Sequence, residues 1–211
     1  MNADLRRHPR RNRVTPAGEF IATEHRGAWY GNRGVLHNEQ LDLVRRHQGR
    51  RWIICVLRFK DRRRPLLRPD RFTELFFLDE AGALAAGHRP CAECRYADYQ
   101  RFRTAWAAGH GLGSLPSADE LDRALHPQRI LHDGLRLLHP APLDSLPDGV
   151  FVQWRDAPWV WAGGRLWRWT PGGYDQRRDP FDGPADVLTP LSTVAAIRAG
   201  YRPQLHESVR G

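Results

Sequence analysis

Residues 76–94, FFLDEAGALAAGHRPCAEC, constrain the fold of this chain more than any other stretch. They close a β-type run over Thr73–Leu78, and Asp79 follows where a helix N-cap accepts from backbone N–H groups. Glu80–Ala86 is a short run of helix formers, and Gly87 stands at the C′ position, where a left-handed residue ends a helix. Pro90 then opens a further helix that places Tyr99, Phe102 and Trp106 at helical spacing and ends near Gly109. Cys91 and Cys94 form a C-x-x-C at its start. Helix N-terminal amides favour thiolate there, and two thiolates so spaced can share a tetrahedral zinc ion. A redox dithiol uses the same spacing but follows a strand directly, whereas a helix precedes this pair. Two small side chains buried on one turn are the third use of such a pair.

The neighbouring segments add a mixed pattern. Arg51–Phe59, RWIICVLRF, reads as a strand, and its apolar run Ile53–Leu57 predicts burial on both faces. Residues 1–16 read as a disordered basic tail, and Gly18–Thr23 as a short strand. Gly27, Gly31, Asn32 and Gly34 predict tight turns before His37, with a helix over Asn38–His47 capped by Asn38. Beyond a Gly/Ser/Pro stretch at 109–117 come a helix over Ala118–Leu125 and strands over Gly149–Trp154, Pro158–Trp161 and Arg165–Thr170. A helix over Thr193–Ala199 closes the chain. Gly163-Gly164 is a two-residue hairpin turn that sets Trp161 opposite Leu166 and Trp159 opposite Arg168, with Trp167 and Trp169 on the other face. Tryptophans on both faces mean either a sheet covered on both sides or an exposed platform on which unpaired bases stack. His126, His132 and His139 fall at no metal-ligand spacing and read as ordinary polar positions. The fold class is α+β: a strand/helix module within residues 17–112, then a β-rich part over 113–211 that is either a second domain or the same one.

The order Phe76-Phe77, Ala85-Ala86-Gly87, Arg89-Pro90-Cys91 and Cys94 resembles half of the zinc module of Ada-type DNA-repair proteins, over about residues 51–106. The resemblance implies a zinc ion, a DNA-facing surface and a role in DNA repair or modification. Where that family carries its first cysteine pair, this chain reads Arg63-Arg64-Pro65-Leu66-Leu67. The cysteine that accepts a methyl group from a DNA phosphotriester is therefore absent, and that transfer is not expected. Zinc held by Cys91 and Cys94 needs further ligands, with His88, Cys55, His37 and His110 as candidates. The region that faces DNA in the family corresponds to the loop 60–71, with Arg62, Arg63, Arg64, Arg68 and Arg71; Arg89 and Arg95 flank the cysteines as further phosphate contacts.

Charge points the same way. The net charge is +9, and residues 1–75 alone carry seventeen Arg and Lys60 against eight acids. Such asymmetry suits a polyanion partner, nucleic acid first. With thirty-two Arg and one Lys, the preference for Arg reflects composition and is not a sign of bidentate phosphate recognition. No run of about 20 apolar residues is present, and the N-terminus lacks an apolar signal core, so no membrane partner and a cytoplasmic location are expected. A second reading pairs Pro90-Cys91-Ala92-Glu93-Cys94 with His37-Asn38-Glu39 as the P-C-x-x-C and H-x-E of zinc deaminases. His37 would then be a ligand and Glu39 the general acid/base of a zinc-dependent hydrolase or nucleobase deaminase. Fifty-three residues separate His37 from Cys91, a long gap for that arrangement. A metal-free structural or interaction protein is the third reading.

Overall fold

The computed structural model describes residues 9–60, 71–129 and 136–209. The first sheet is built from six short strands: β1 (Arg13–Val14), β2 (Phe20–Ile21), β3 (Trp29–Asn32), β4 (Ile53–Cys55), β5 (Leu75–Phe77) and β6 (Arg89–Pro90), in the order β2-β1-β5-β3-β4-β6. The second comprises β7 (His139–Pro142), β8 (Val150–Trp154), β9 (Ala157–Ala162), β10 (Arg165–Thr170), β11 (Gly173–Arg178) and β12 (Pro184–Val187), in the order β11-β10-β9-β8-β12-β7. Among the described residues four α-helices complete it: α1 (Glu80–Ala85), α2 (Tyr96–Gly109), α3 (Ala118–Leu125) and α4 (Leu191–Arg198). The class is α+β with a β-rich C-terminal part, as the sequence indicates. Among the described residues no helix is long and apolar enough to cross a membrane.

One buried cluster draws Ile54, Leu75 and Phe77 of the first sheet together with Phe102 and Trp106 of α2, Leu121 and Leu125 of α3, Val150, Trp159 and Trp161 of the second sheet, and Ile197 of α4. A second cluster lies across the hairpin sheet, where Phe151, Val160, Trp167 and Trp169 pack on Ala81 and Ala85 of α1. The tryptophan hairpin has the expected register, with Trp161 opposite Leu166 and Trp159 opposite Arg168. Its sheet is covered on both sides: Trp159, Trp161, Trp167 and Trp169 are all buried, so no exposed aromatic platform exists there.

Local chemistry explains the elements that the sequence marks. Asp79 Oδ1 accepts from the Gly82 N–H at 2.8 Å and caps α1. Helix α1 ends with Gly87 at φ +89, the Gly87 N–H on the Leu84 carbonyl at 2.9 Å and the His88 N–H on the Ala83 carbonyl at 3.0 Å. Those two bonds make a Schellman cap. Ser117 and Glu120 form a reciprocal capping box that starts α3.

Four expectations are corrected. Arg13–Val14, inside the expected disordered tail, forms β1, pairing with β2 and running parallel to β5. Gly31 and Asn32 lie in a strand, not a turn: a Cβ on Gly31 would stand 2.2 Å from the Ile53 carbonyl oxygen, so only glycine lets β3 and β4 come this close. No helix forms over 38–47. Asn38 Oδ1 accepts from Asp42 N–H at 2.9 Å, Leu41 has φ 69, and His37 bridges to Leu43, so the side chain that was expected to cap a helix closes a turn. Pro90 ends β6 and does not open α2, which starts only at Tyr96.

Candidate metal centre

Strand register builds the site. Parallel pairing of β4 with β6 sets Ile53 beside Arg89 and Ile54 beside Pro90, and the Cys91 N–H donates to the Ile54 carbonyl at 2.9 Å. The next residue of each strand is a cysteine, so Cys55 and Cys91 emerge side by side. A turn over residues 92–95 brings Cys94 back to them. The sulfur atoms of Cys55, Cys91 and Cys94 all lie within 4.8 Å of one another. Cys55 and Cys91 are buried, and Cys94 is half-buried. The pair thus follows a strand directly, contrary to the expectation that a helix leads into it.

The thiols act on one another through hydrogen bonds. Hydrogen bonds from the Cys55 and Cys94 side chains hold the Cys91 thiol well below the ordinary thiol range. The backbone amides of Cys94 and Glu93 assist, and the Glu93 N–H reaches Cys91 Sγ at 3.4 Å. Cys55 is pushed up, first by its bond to Cys91 and then by that to Cys94. Amide-to-sulfur bonds of this kind orient thiolate ligands around a metal. Zinc–thiolate bonds of about 2.3 Å place neighbouring sulfurs about 3.8 Å apart in a tetrahedron, and three sulfurs all within 4.8 Å of one another are near that arrangement. The donor set fits a soft divalent ion.

The sulfurs open on a cleft of about 310 Å³. Its walls mostly follow the period of two along the strands: Tyr30 and Asn32 from β3, Ile53 and Cys55 from β4, and Phe72, Glu74 and Phe76 from β5 and the residues before it, with Val56 and Leu57 both lining it where β4 has ended. Residues of the opposite parity, such as Ile54, Leu75 and Phe77, enter the main core. Tyr30 is opposite Cys55 on one side and Phe76 on the other. Phe59 and Glu93 complete the aromatic and acidic lining.

Other expected ligands and contacts sit elsewhere. His88 is fully buried, its ring 4.7 Å from Phe77 and 5.4 Å from Trp52, and its Nε2 accepts from Arg33 Nε at 3.2 Å. His37 is buried with Nδ1 2.7 Å from the Thr73 hydroxyl, while Glu39 is exposed; neither lies in the cysteine group. His110 stacks on Trp106 at the end of α2. Arg89 and Arg95, expected at phosphates, are internal. Arg89 makes a two-pronged pair with Asp122, at 3.0 and 2.7 Å, and Arg95 binds Glu80 at 2.8 Å and covers the Trp29 ring. Their charge is matched inside the protein. Arg71 is exposed, and Arg62, Arg63, Arg64 and Arg68 lie outside the described residues.

No family model, curated protein or solved structure matches this chain. The likeness to Ada-type modules therefore rests on the quoted residues.

Proposed function

We propose that Cys55, Cys91 and Cys94 hold one zinc ion as thiolates, with the remaining coordination position on the cleft side. The observation that carries this is the convergence of three sulfurs within 4.8 Å at the wall of a cleft. Structural zinc sites close with four protein ligands, and sites that act on a substrate keep one position open. A bound zinc ion would supply Lewis acidity at that position. The chain's own residues then divide the work: Tyr30, Phe59, Phe72 and Phe76 line the cleft with rings against which a planar heterocycle packs, and Glu74 and Glu93 are the carboxylates of the cleft wall to which we assign the general acid/base role. This favours a zinc-dependent hydrolase or deaminase of the nucleobase type, with Cys55 as the third ligand in place of His37 and a cleft glutamate in place of Glu39. Metal analysis tests it. Purified protein should carry one zinc per chain, and Cys55→Ser and Cys91→Ser should each lose most of it; zinc retained at full occupancy in Cys55→Ser would rule out the three-thiolate centre.

The partner we propose is nucleic acid, in a repair or modification role without methyl transfer. Its support is the positive excess of residues 1–75, the segment that supplies β1–β4 and most of the cleft. Arg58, Lys60 and Arg71 are exposed, and they neighbour the cleft residues Leu57, Phe59 and Phe72 in sequence. Binding to single-stranded DNA should weaken steeply and linearly in log–log form as salt rises, because phosphate contacts release counterions. A salt-independent affinity would remove the nucleic-acid reading and leave the zinc centre untouched.

A further inference from the structure

Behind the first sheet, away from the cysteines, positive charge is gathered around Trp52. The guanidinium of Arg33 lies 4.2 Å from the Trp52 ring centre and that of Arg129 4.7 Å, while the rings of His47 and His88 stand at 5.5 and 5.4 Å. His126 meets His47 edge-on at 5.4 Å. Arg136 approaches from below, its guanidinium bonded to the carbonyls of Arg129, Ala85 and Leu188. Among the described residues the carboxylate within this group is Asp122, and it is already engaged by both prongs of Arg89. Arg129 reaches it only at 3.6 Å.

Donors are left over. Arg129 is fully buried, its Nη1 donates to the Arg50 carbonyl at 2.6 Å, and its Nε and Nη2 have no hydrogen-bond partner among the described residues. The Nδ1 atoms of His47 and His126 are buried and unbonded too. Orphaned donors and unmatched buried cations each cost free energy, and a protein normally satisfies them. Here they gather at one place, and its outer edge, His47 and His126, is part-exposed. Both histidines are held below their ordinary range, first by burial, with Arg129 adding to it.

We propose that His47, His126 and Arg129 form a binding site for a phosphate-type oxyanion, approached from the His47/His126 edge and backed by Arg33, Arg136 and Trp52. A tetrahedral oxyanion offers acceptors for the imidazole N–H groups and for the Arg129 fork. Its charge offsets the unmatched guanidinium groups. The site is separate from the zinc centre and does not depend on it. The anion comes either from solution or from a nucleic-acid end.

The test compares thermal unfolding of the wild-type protein, His47→Phe and His126→Phe in phosphate and in chloride at matched ionic strength, then with a terminally phosphorylated dinucleotide against its unphosphorylated form. Ligand binding to the native state raises the melting temperature. The wild type should melt several degrees higher in phosphate than in chloride, and each variant should lose most of that increment. An increment with inorganic phosphate assigns a free oxyanion; one seen only with the phosphorylated dinucleotide assigns a nucleic-acid phosphate. Both support the site provided that the variants lose the effect. If a variant fails to fold, phosphorus NMR decides: the phosphate signal should broaden with wild-type protein and sharpen when sulfate competes. Equal melting in every anion, an increment that both variants keep, or an unbroadened phosphate signal overturns the proposal.

Discussion

His88 shows how much one side chain's surroundings decide. It lies three residues before Cys91 in a string that resembles a metal-binding module, yet it faces the core, between the rings of Phe77 and Trp52. Burial, then the nearby Arg33 and Arg129, hold its pKa well below the ordinary histidine value. His47 and His126 are shifted the same way, again by burial first. The native state keeps these imidazoles neutral, whereas the unfolded chain takes up protons below about pH 6.5. The unfolded state therefore binds more protons there, and stability is full above about pH 6.5 and falls on acidification. His88→Gln keeps an acceptor for Arg33 Nε and removes one titrating group. Its unfolding free energy, measured in urea, should fall less between about pH 7 and pH 5 than that of the wild type. Equal slopes would show that His88 does not carry this linkage.

At the scale of the element, β3 positions the candidate centre through a residue with no side chain. Gly31 lets β3 approach β4 so closely that a Cβ would meet the Ile53 carbonyl oxygen at 2.2 Å and the Phe77 ring at 2.9 Å. Its partners are backbone and a buried ring, so relief requires moving a strand. Gly31→Ala should destabilise the protein by about 3 kcal/mol or more, and the fraction that still folds should hold zinc poorly, because Cys55 rides on the displaced strand. Chemical denaturation and zinc content check the two halves. Loss of less than about 0.5 kcal/mol would mean that the sheet adjusts freely. The sequence marks Gly31 only as a turn former. Glycine's two uses, left-handed backbone and close approach, look alike in one dimension, and only pairing with Ile54 tells them apart.

At the scale of the molecule, two adjacent acids tie the parts together. Asp79 accepts from the Tyr174 hydroxyl at 2.7 Å and the His206 N–H at 3.0 Å, and Glu80 accepts from Arg95, the Tyr201 hydroxyl and the Gln204 N–H. The start of α1 thus holds β11, the entry to α2 and the chain after α4. Glu80→Gln weakens a buried charge pair with Arg95 and should cost about 3 kcal/mol, with faster proteolysis near residues 201–209. Unfolding and cleavage rates like those of the wild type would show that the clamp is dispensable. A phosphate contact was expected of Arg95, and the sequence offers no sign of this clamp, since the groups it joins lie 15 and more residues apart.

At several places a local determinant was enough for the sequence alone to decide the outcome, though not at Asn38 or Pro90, where pairing overrode the local signal. The Asp79 cap, the Gly87 stop, the Ser117 box, the span of α3 and the register of the tryptophan hairpin follow from neighbours within a few residues, whose hydrogen bonds form whatever the rest does. Short strands such as β1, β6 and β12 were not legible, because two to four residues carry no periodicity of their own and persist only by pairing. The cysteine cluster lies between these cases. Cys91 and Cys94 announce themselves by spacing, but Cys55 joins them only through the parallel register of β4 and β6. Likewise Arg89 and Arg95 are surface cations by composition and internal ones by tertiary structure, because Asp122 and Glu80 are brought to them from elsewhere in the chain. Spacing proposes pairs of ligands; long-range pairing decides which third group meets them and which charges are already answered.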